Sequence, residues 1–128
     1  MRVAKDKVNV RMQIPGAVIR QQMEFGDVNG YDKISGECFT LSAGVDTAPL
    51  FQGLEENLCQ CPHWGFVLRG QLTTTDARGF KETVNANDLF YWPPGHNVMV
   101  DADAEIVMFS PQREHSHVID HMIEKVNG

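Results

Sequence analysis

The 128 residues of the chain, 42% hydrophobic and 22% charged, have the length of one domain and the composition of an ordinary globular protein. A net charge of −6 with 11 scattered basic residues argues against a nucleic-acid partner, because a phosphate backbone needs clustered Lys and Arg. No apolar stretch reaches the roughly eighteen residues of a membrane span. Met1 to Asp6 carries no apolar signal segment, so a cytoplasmic location is expected.

Residues 8–14, Val-Asn-Val-Arg-Met-Gln-Ile, alternate with period two and predict a half-buried strand ended by Pro15-Gly16. The alternation continues through 17–25, with Ile19, Met23 and Phe25 on one face, until the turn cluster Gly26-Asp27-Val28-Asn29-Gly30. A third strand covers 33–42, with Phe39 and Leu41 inward and Cys38 expected in the core. Residues 43–56 are loop-like. Strands are predicted over 57–68 and 71–75 around a turn at Arg69-Gly70, then at 80–84, 89–92, 96–100 and 105–109. From Glu114, the spacing of Val118, Met122 and Val126 predicts a short amphipathic helix. Many short strands separated by turn signals make the chain all-β, a sandwich or barrel, in a single domain over 1–128.

Three cysteines are too few, and odd in number, for a disulfide scaffold. Cys59 and Cys61 read as thiols or metal ligands. A bridge between them stays open, since two strand residues span about 6.6 Å, near the upper limit of disulfide geometry.

In Cys59-Gln60-Cys61-Pro62-His63-Trp64-Gly65, the two cysteines and the histidine share strand parity and point to one face. Thiolate and imidazole suit zinc or iron(II) better than magnesium or calcium. Cys59 and His63 are about 13 Å apart along a straight strand, so a shared ion requires a bend, which Pro62 supplies. In Asn87-Asp88-Leu89-Phe90-Tyr91-Trp92-Pro93-Pro94-Gly95-His96, a strand stops at a rigid turn that can fix the His96 imidazole. Tyr91 or Trp92 is the aromatic expected to line a pocket.

These two stretches resemble the paired signature motifs of the cupin superfamily. With Gly70 on the closing glycine of the first motif, His63 takes the glutamate position, Cys59 the second histidine and Asn57 the first. In the second motif Asp88, Pro93 and Gly95 match, Asn87 stands where glycine is usual, and Val98 stands at the histidine position with His96 two residues earlier. The likeness spans residues 57–98. The combination of Cys-x-Cys-Pro-His-Trp-Gly with Pro-Pro-Gly-His is also similar to small bacterial single-domain cupins of unassigned activity. The resemblance implies a cupin-type antiparallel β-barrel, a double-stranded β-helix or jelly roll, with a short C-terminal helix. It also implies a homodimer, and the strand over 8–14 could extend a partner's sheet. The altered ligand positions do not carry over the three-histidine, one-glutamate iron site or its dioxygenase chemistry.

The metal residues expected are therefore Cys59, Cys61, His63 and His96, with zinc first and iron second. The leading expectation is a metal-dependent protein acting on a small polar metabolite. The alternatives are a non-catalytic ligand- or metal-binding module and a barrel closed by a structural zinc. His115, His117 and His121 read as solvated helix residues, and Glu55 and Glu56 as loop carboxylates. Arg11 and Arg20 have the parity to face inward and hold a carboxylate ligand.

Overall fold

A computed structural model describes residues 1–128. Seven strands and two helices follow in order: β1 (Val10–Ile14), β2 (Ala17–Gln22), β3 (Ile34–Leu41), α1 (Ala48–Phe51), β4 (His63–Asp76), β5 (Lys81–Asn85), β6 (Leu89–Trp92), β7 (His96–Pro111) and α2 (Gln112–Asn127). The strands pair antiparallel in the order β1-β2-β3-β7-β4-β5, with β6 also on β4. β4 therefore carries β6 along its first half and β5 along its second, while β7 runs down its other side. The result is the all-β barrel expected from the alternation, with α2 closing the chain. No helix is long and apolar enough to cross a membrane.

Alternation sets the two ends of the interior. Along β2 the inward residues are Ala17, Ile19 and Gln21, and along β3 they are Ser35, Glu37, Phe39 and Leu41. Ile19 pairs with Phe39 and Gln21 with Glu37, so one end of the interior is apolar and the other polar. Leu72, Ile106, Val67 and Val100 complete the apolar end as fully buried side chains.

Five expectations change. The chain does not turn at Arg69-Gly70: β4 runs straight through, with pairing to β7 shifting register between Val67 and Leu72. Gly70 adopts φ +91° at this bulge, and a Cβ there would stand 2.2 Å from the Asp103 carbonyl. Both the left-handed backbone and the contact exclude a side chain. Gly70→Ala is expected to cost about 2–4 kcal/mol, read as a lower urea midpoint; an unchanged midpoint would refute this role.

The strands expected at 96–100 and 105–109 are one strand, β7. The acidic run between them stays in the ladder because its side chains are satisfied outside: Asp101 accepts from Thr73 Oγ1 at 2.6 Å and Asp103 from the Ala43 N–H at 2.9 Å. The loop over 43–56 contains α1, which buries Phe51. β2 ends at Gln22, so Met23 is partly exposed and Phe25 stacks on Phe109 outside the barrel. Cys38 faces outward and is only half-buried, contrary to the core position expected.

Candidate metal centre

Cys59, His63 and His96 come together in the barrel. The strand expected from Asn57 begins only at His63. A 3-10 turn over Glu55–Asn57 precedes an extended segment that bridges to the start of β7. There the Cys59 N–H donates to the His96 carbonyl at 2.8 Å, and the Cys59 carbonyl accepts from the Gly95 N–H at 2.8 Å and the His96 N–H at 3.2 Å. The Pro93-Pro94-Gly95 turn thus sets His96 beside Cys59. Across β4, His63 opposes Trp92 of β6. One donor atom from each of Cys59, His63 and His96 lies within 4.8 Å of the others, and all three residues are buried. Cys59 Sγ is 3.6 Å from His63 Nε2.

Both imidazoles are fixed from behind. The Pro93 carbonyl can only accept, so the 2.7 Å contact of His96 Nδ1 with it makes Nδ1–H the donor. Ser110 Oγ donates to Glu37 Oε1 at 2.8 Å and therefore accepts from His63 Nδ1–H at 2.7 Å. Each histidine then keeps an Nε2 lone pair. Tied Nδ1–H groups of this kind fix the tautomer and orientation of metal-ligating histidines.

Glu37, almost fully buried, anchors this arrangement. It accepts from Ser35 Oγ at 2.7 Å, Ser110 Oγ at 2.8 Å, Gln21 Nε2 at 3.5 Å and His115 Nδ1–H. His115 is buried, not solvated as expected, and its ring centroid is 4.3 Å from that of His63. Glu37, His63 and His115 form a second group of possible ligands sharing His63. His115 was legible in principle: with Val118, Ile119 and Met122 it makes the buried stripe of α2. Glu37 had a weaker signal, an acid at the inward parity of β3.

The other expected residues lie elsewhere. Cys61 is buried but outside the group; its sulfur lies 3.4 Å from the Pro62 carbonyl and 4.0 Å from that of Pro111. Trp92 is buried in the barrel wall, whereas Tyr91 points outward, half-exposed, and stacks on Trp64 at 5.4 Å. Arg20 donates to the Val8 carbonyl at 2.9 Å, and Arg11 pairs with Asp120 and donates to Gln21. Neither arginine reaches the group. His117 is exposed, and His121 Nε2–H donates to the Gln52 carbonyl at 2.8 Å. Glu55 and Glu56 are exposed, as expected.

By sequence, no family model and no curated protein matches the chain. By structure, it is similar to the oxalate decarboxylase of Lactobacillus farciminis (TM-score 0.58, 19% identity over 84% of this chain and 31% of that one). It is also similar to the polyketide cyclase RemF of Streptomyces resistomycificus (0.58, 19%, 87% and 78%). An RmlC-like cupin of Shewanella frigidimarina matches over 89% of this chain and 93% of its own length, with TM-score 0.57 and 14% identity. The fold is the cupin fold. The chain spans about a third of the length of the oxalate decarboxylase it resembles.

Within this cupin barrel, burial sets the charge state of the donors. It pushes the Cys59 thiol up to about 12 and raises Cys61 as well. It lowers His63 well below the ordinary imidazole value and holds His96 down at about 4, with the neighbouring His115 charge acting in the same direction on both. In the metal-free protein the donors are therefore a thiol and two neutral imidazoles. The stability consequence has a definite sign. Below pH 6.5, the ordinary imidazole value, the unfolded chain binds a proton that folded His96 refuses until about pH 4. The stability present above pH 6.5 is lost as pH falls through this window, by about 3 kcal/mol from His96 alone, and His63 adds to the loss. The urea midpoint of metal-free protein is expected to be markedly lower at pH 4.5 than at pH 7.5. Equal midpoints would contradict neutral burial of both rings.

A cavity of about 60 Å³ adjoins the group. Cys59, His63, His96, His115 and Trp92 lie along it, and sixteen of its twenty lining residues are apolar, among them Phe39, Leu41, Leu72, Ile106 and Met108. Leu50 and Phe51 of α1 and Met122 of α2 also line it. The walls are unlike those expected for a polar metabolite.

Proposed function

We propose that Cys59, His63 and His96 hold a divalent metal ion, zinc ahead of iron, and that the centre acts on a small molecule admitted to the adjoining cavity. The observation carrying this reading is the pair of histidines whose Nδ1–H groups are occupied while an Nε2 stands 3.6 Å from a buried cysteine sulfur. In a tetrahedral zinc site, with Zn–S about 2.3 Å and Zn–N about 2.0–2.1 Å, sulfur and nitrogen stand about 3.6 Å apart. Three protein ligands leave a position for water or substrate, which favours a reactive centre over a structural staple. A metal bound there supplies Lewis acidity and lowers the pKa of a bound water. Glu37 through Ser110, and the Pro93 carbonyl, orient the two imidazoles for it. A protein sharing the fold, the oxalate decarboxylase of Bacillus subtilis, has Mn(II) centres. The thiolate favours zinc or iron for this chain.

Elemental analysis of protein purified under reducing conditions tests the assignment. Wild type and Cys61→Ser are expected to carry one equivalent of metal, and Cys59→Ser and His63→Ala far less. Metal-free wild type that still binds none on addition of zinc, or loss of metal in Cys61→Ser alone, would overturn it. All three cysteines are free, the state that the reducing cytoplasm, our proposed location, maintains.

We also propose a homodimer. Phe109, Trp64 and Tyr91 are partly exposed neighbours across β7, β4 and β6, an apolar strip on the outer face. A second copy of this chain covers it in this reading. Sedimentation is expected to give a dimer for wild type and a monomer for Trp64→Glu. A monomeric wild type at micromolar concentration would refute the pairing.

A further inference from the structure

The cavity beside Cys59, His63 and His96 constrains what can enter it. Its volume is about 60 Å³. A water molecule occupies about 30 Å³ of liquid, and an engineered dry cavity of about 150 Å³ accepts benzene. The space therefore holds roughly two to four non-hydrogen atoms. Its wall is apolar except at one end, where the donor group sits. Thr47, the remaining polar residue of the wall, is engaged in both roles: its hydroxyl accepts from the Val98 N–H at 2.8 Å and donates to the Val98 carbonyl at 3.2 Å. Apolar walls exclude a sugar or a polyol, whose hydroxyl groups would go unpaired there.

The same walls disfavour an ion, whose charge would be desolvated there without a partner. One donor in this wall is also unsatisfied. Trp92 Nε1–H is the buried side-chain N or O group without a hydrogen-bond partner, and Trp92 is 2% exposed. Its ring centroid lies 5.8 Å from that of His96 and 6.3 Å from that of His63. An orphaned buried N–H on the wall of a ligand-sized space marks the place of an acceptor atom.

We infer that the cavity takes an uncharged molecule of about two to four non-hydrogen atoms, apolar but for one oxygen, of the short-chain alcohol, aldehyde or ketone class. Its oxygen lies at the donor end and accepts from Trp92 Nε1–H, which makes Trp92 a specificity-determining residue. The oxygen's position at the metal rests on the proposed centre. The apolar cavity and the Trp92 donor do not.

The test uses ¹⁵N-labelled protein, zinc-loaded and metal-free, with propan-1-ol, acetate and xenon as probes. Trp64→Phe assigns the Trp92 indole resonance, because the chain has two tryptophans. Propan-1-ol is expected to shift the Trp92 indole signal saturably and to bind zinc-loaded protein more tightly than metal-free protein. Xenon is expected to perturb the Leu41 and Met108 methyl groups with or without zinc. Trp92→Phe is expected to weaken propan-1-ol about five- to tenfold and to leave xenon unaffected. Acetate binding as tightly as propan-1-ol, or xenon leaving those methyls unperturbed, would overturn the ligand class. Unchanged propan-1-ol affinity in Trp92→Phe would overturn the role of that residue. If zinc does not bind but propan-1-ol and xenon behave as described, the ligand class stands and the metal centre falls.

Discussion

Replacing Glu37 with alanine is expected to destabilise the protein by about 3–5 kcal/mol, a large part of the stability of a domain this size. The carboxylate is buried and accepts from Ser35, Ser110, Gln21 and His115, residues drawn from β2, β3, β7 and α2. Removing it strands several buried donors at once, and each unpaired donor costs about 1–3 kcal/mol. Gln21 keeps Ser35 and Ser116 as partners, at 3.2 and 3.3 Å, so the loss concentrates on the donors of Ser35, Ser110 and His115. Glu37→Gln keeps the shape and one acceptor, and a loss of about 1–2 kcal/mol is expected. Because Ser110 relays Glu37 to His63, the same substitution is expected to weaken zinc binding by about 10- to 100-fold. Urea unfolding and competition with a chromophoric chelator check the two arms. Less than about 1 kcal/mol lost in Glu37→Ala would show that the carboxylate does not organise this end of the barrel.

The second large effect is expected at His63. In the proposed centre His63→Ala removes a direct ligand, so the zinc affinity is expected to fall by more than the roughly 100-fold of an outer-shell change. The variant should still fold. His63 stands at the first residue of β4, and the ladder to β6 and β7 is made by backbone groups that alanine retains. The apparent affinity of wild type is also expected to rise with pH, since a thiol held at about 12 must release its proton on binding the ion. Wild-type zinc affinity in folded His63→Ala would mean that the imidazole is no ligand.

Much of the barrel was legible because alternation is a local signal. The inward residues of β2 and β3 follow from parity alone, and the proline-glycine and asparagine-glycine punctuation marks where strands stop. Gly70 was harder. A glycine after an arginine looks the same as a turn or as a bulge, and only the Asp103–Ala104 backbone pressed against it decides the matter.

Parity also marked Cys59, Cys61 and His63 as buried on one face, and all three are buried. It did not tell which of them converge. Parity holds within a ladder, and Cys59 to Pro62 lies before β4, bridged to His96 instead. The Cys59 sulfur therefore turns towards His63, while that of Cys61 lies against the Pro62 and Pro111 carbonyls. Pro93-Pro94-Gly95 foretold a fixed His96, but not the two backbone hydrogen bonds joining it to Cys59. His115 was misread because charged neighbours on α2 outweighed its position one turn before Val118 and Ile119. Its partner Glu37 is 78 residues away in sequence, a distance at which no local pattern speaks.

Cobalt(II) substitution tests the central claim most directly, because a thiolate bound to cobalt has its own charge-transfer absorption. Metal-free wild type titrated with cobalt(II) is expected to develop a thiolate-to-cobalt band in the near ultraviolet and visible bands of tetrahedral intensity, saturating at one equivalent. Cys61→Ser should reproduce both, and Cys59→Ser should lose the charge-transfer band. No such band in folded wild type, or a band lost in Cys61→Ser but kept in Cys59→Ser, would contradict a centre built on Cys59, His63 and His96.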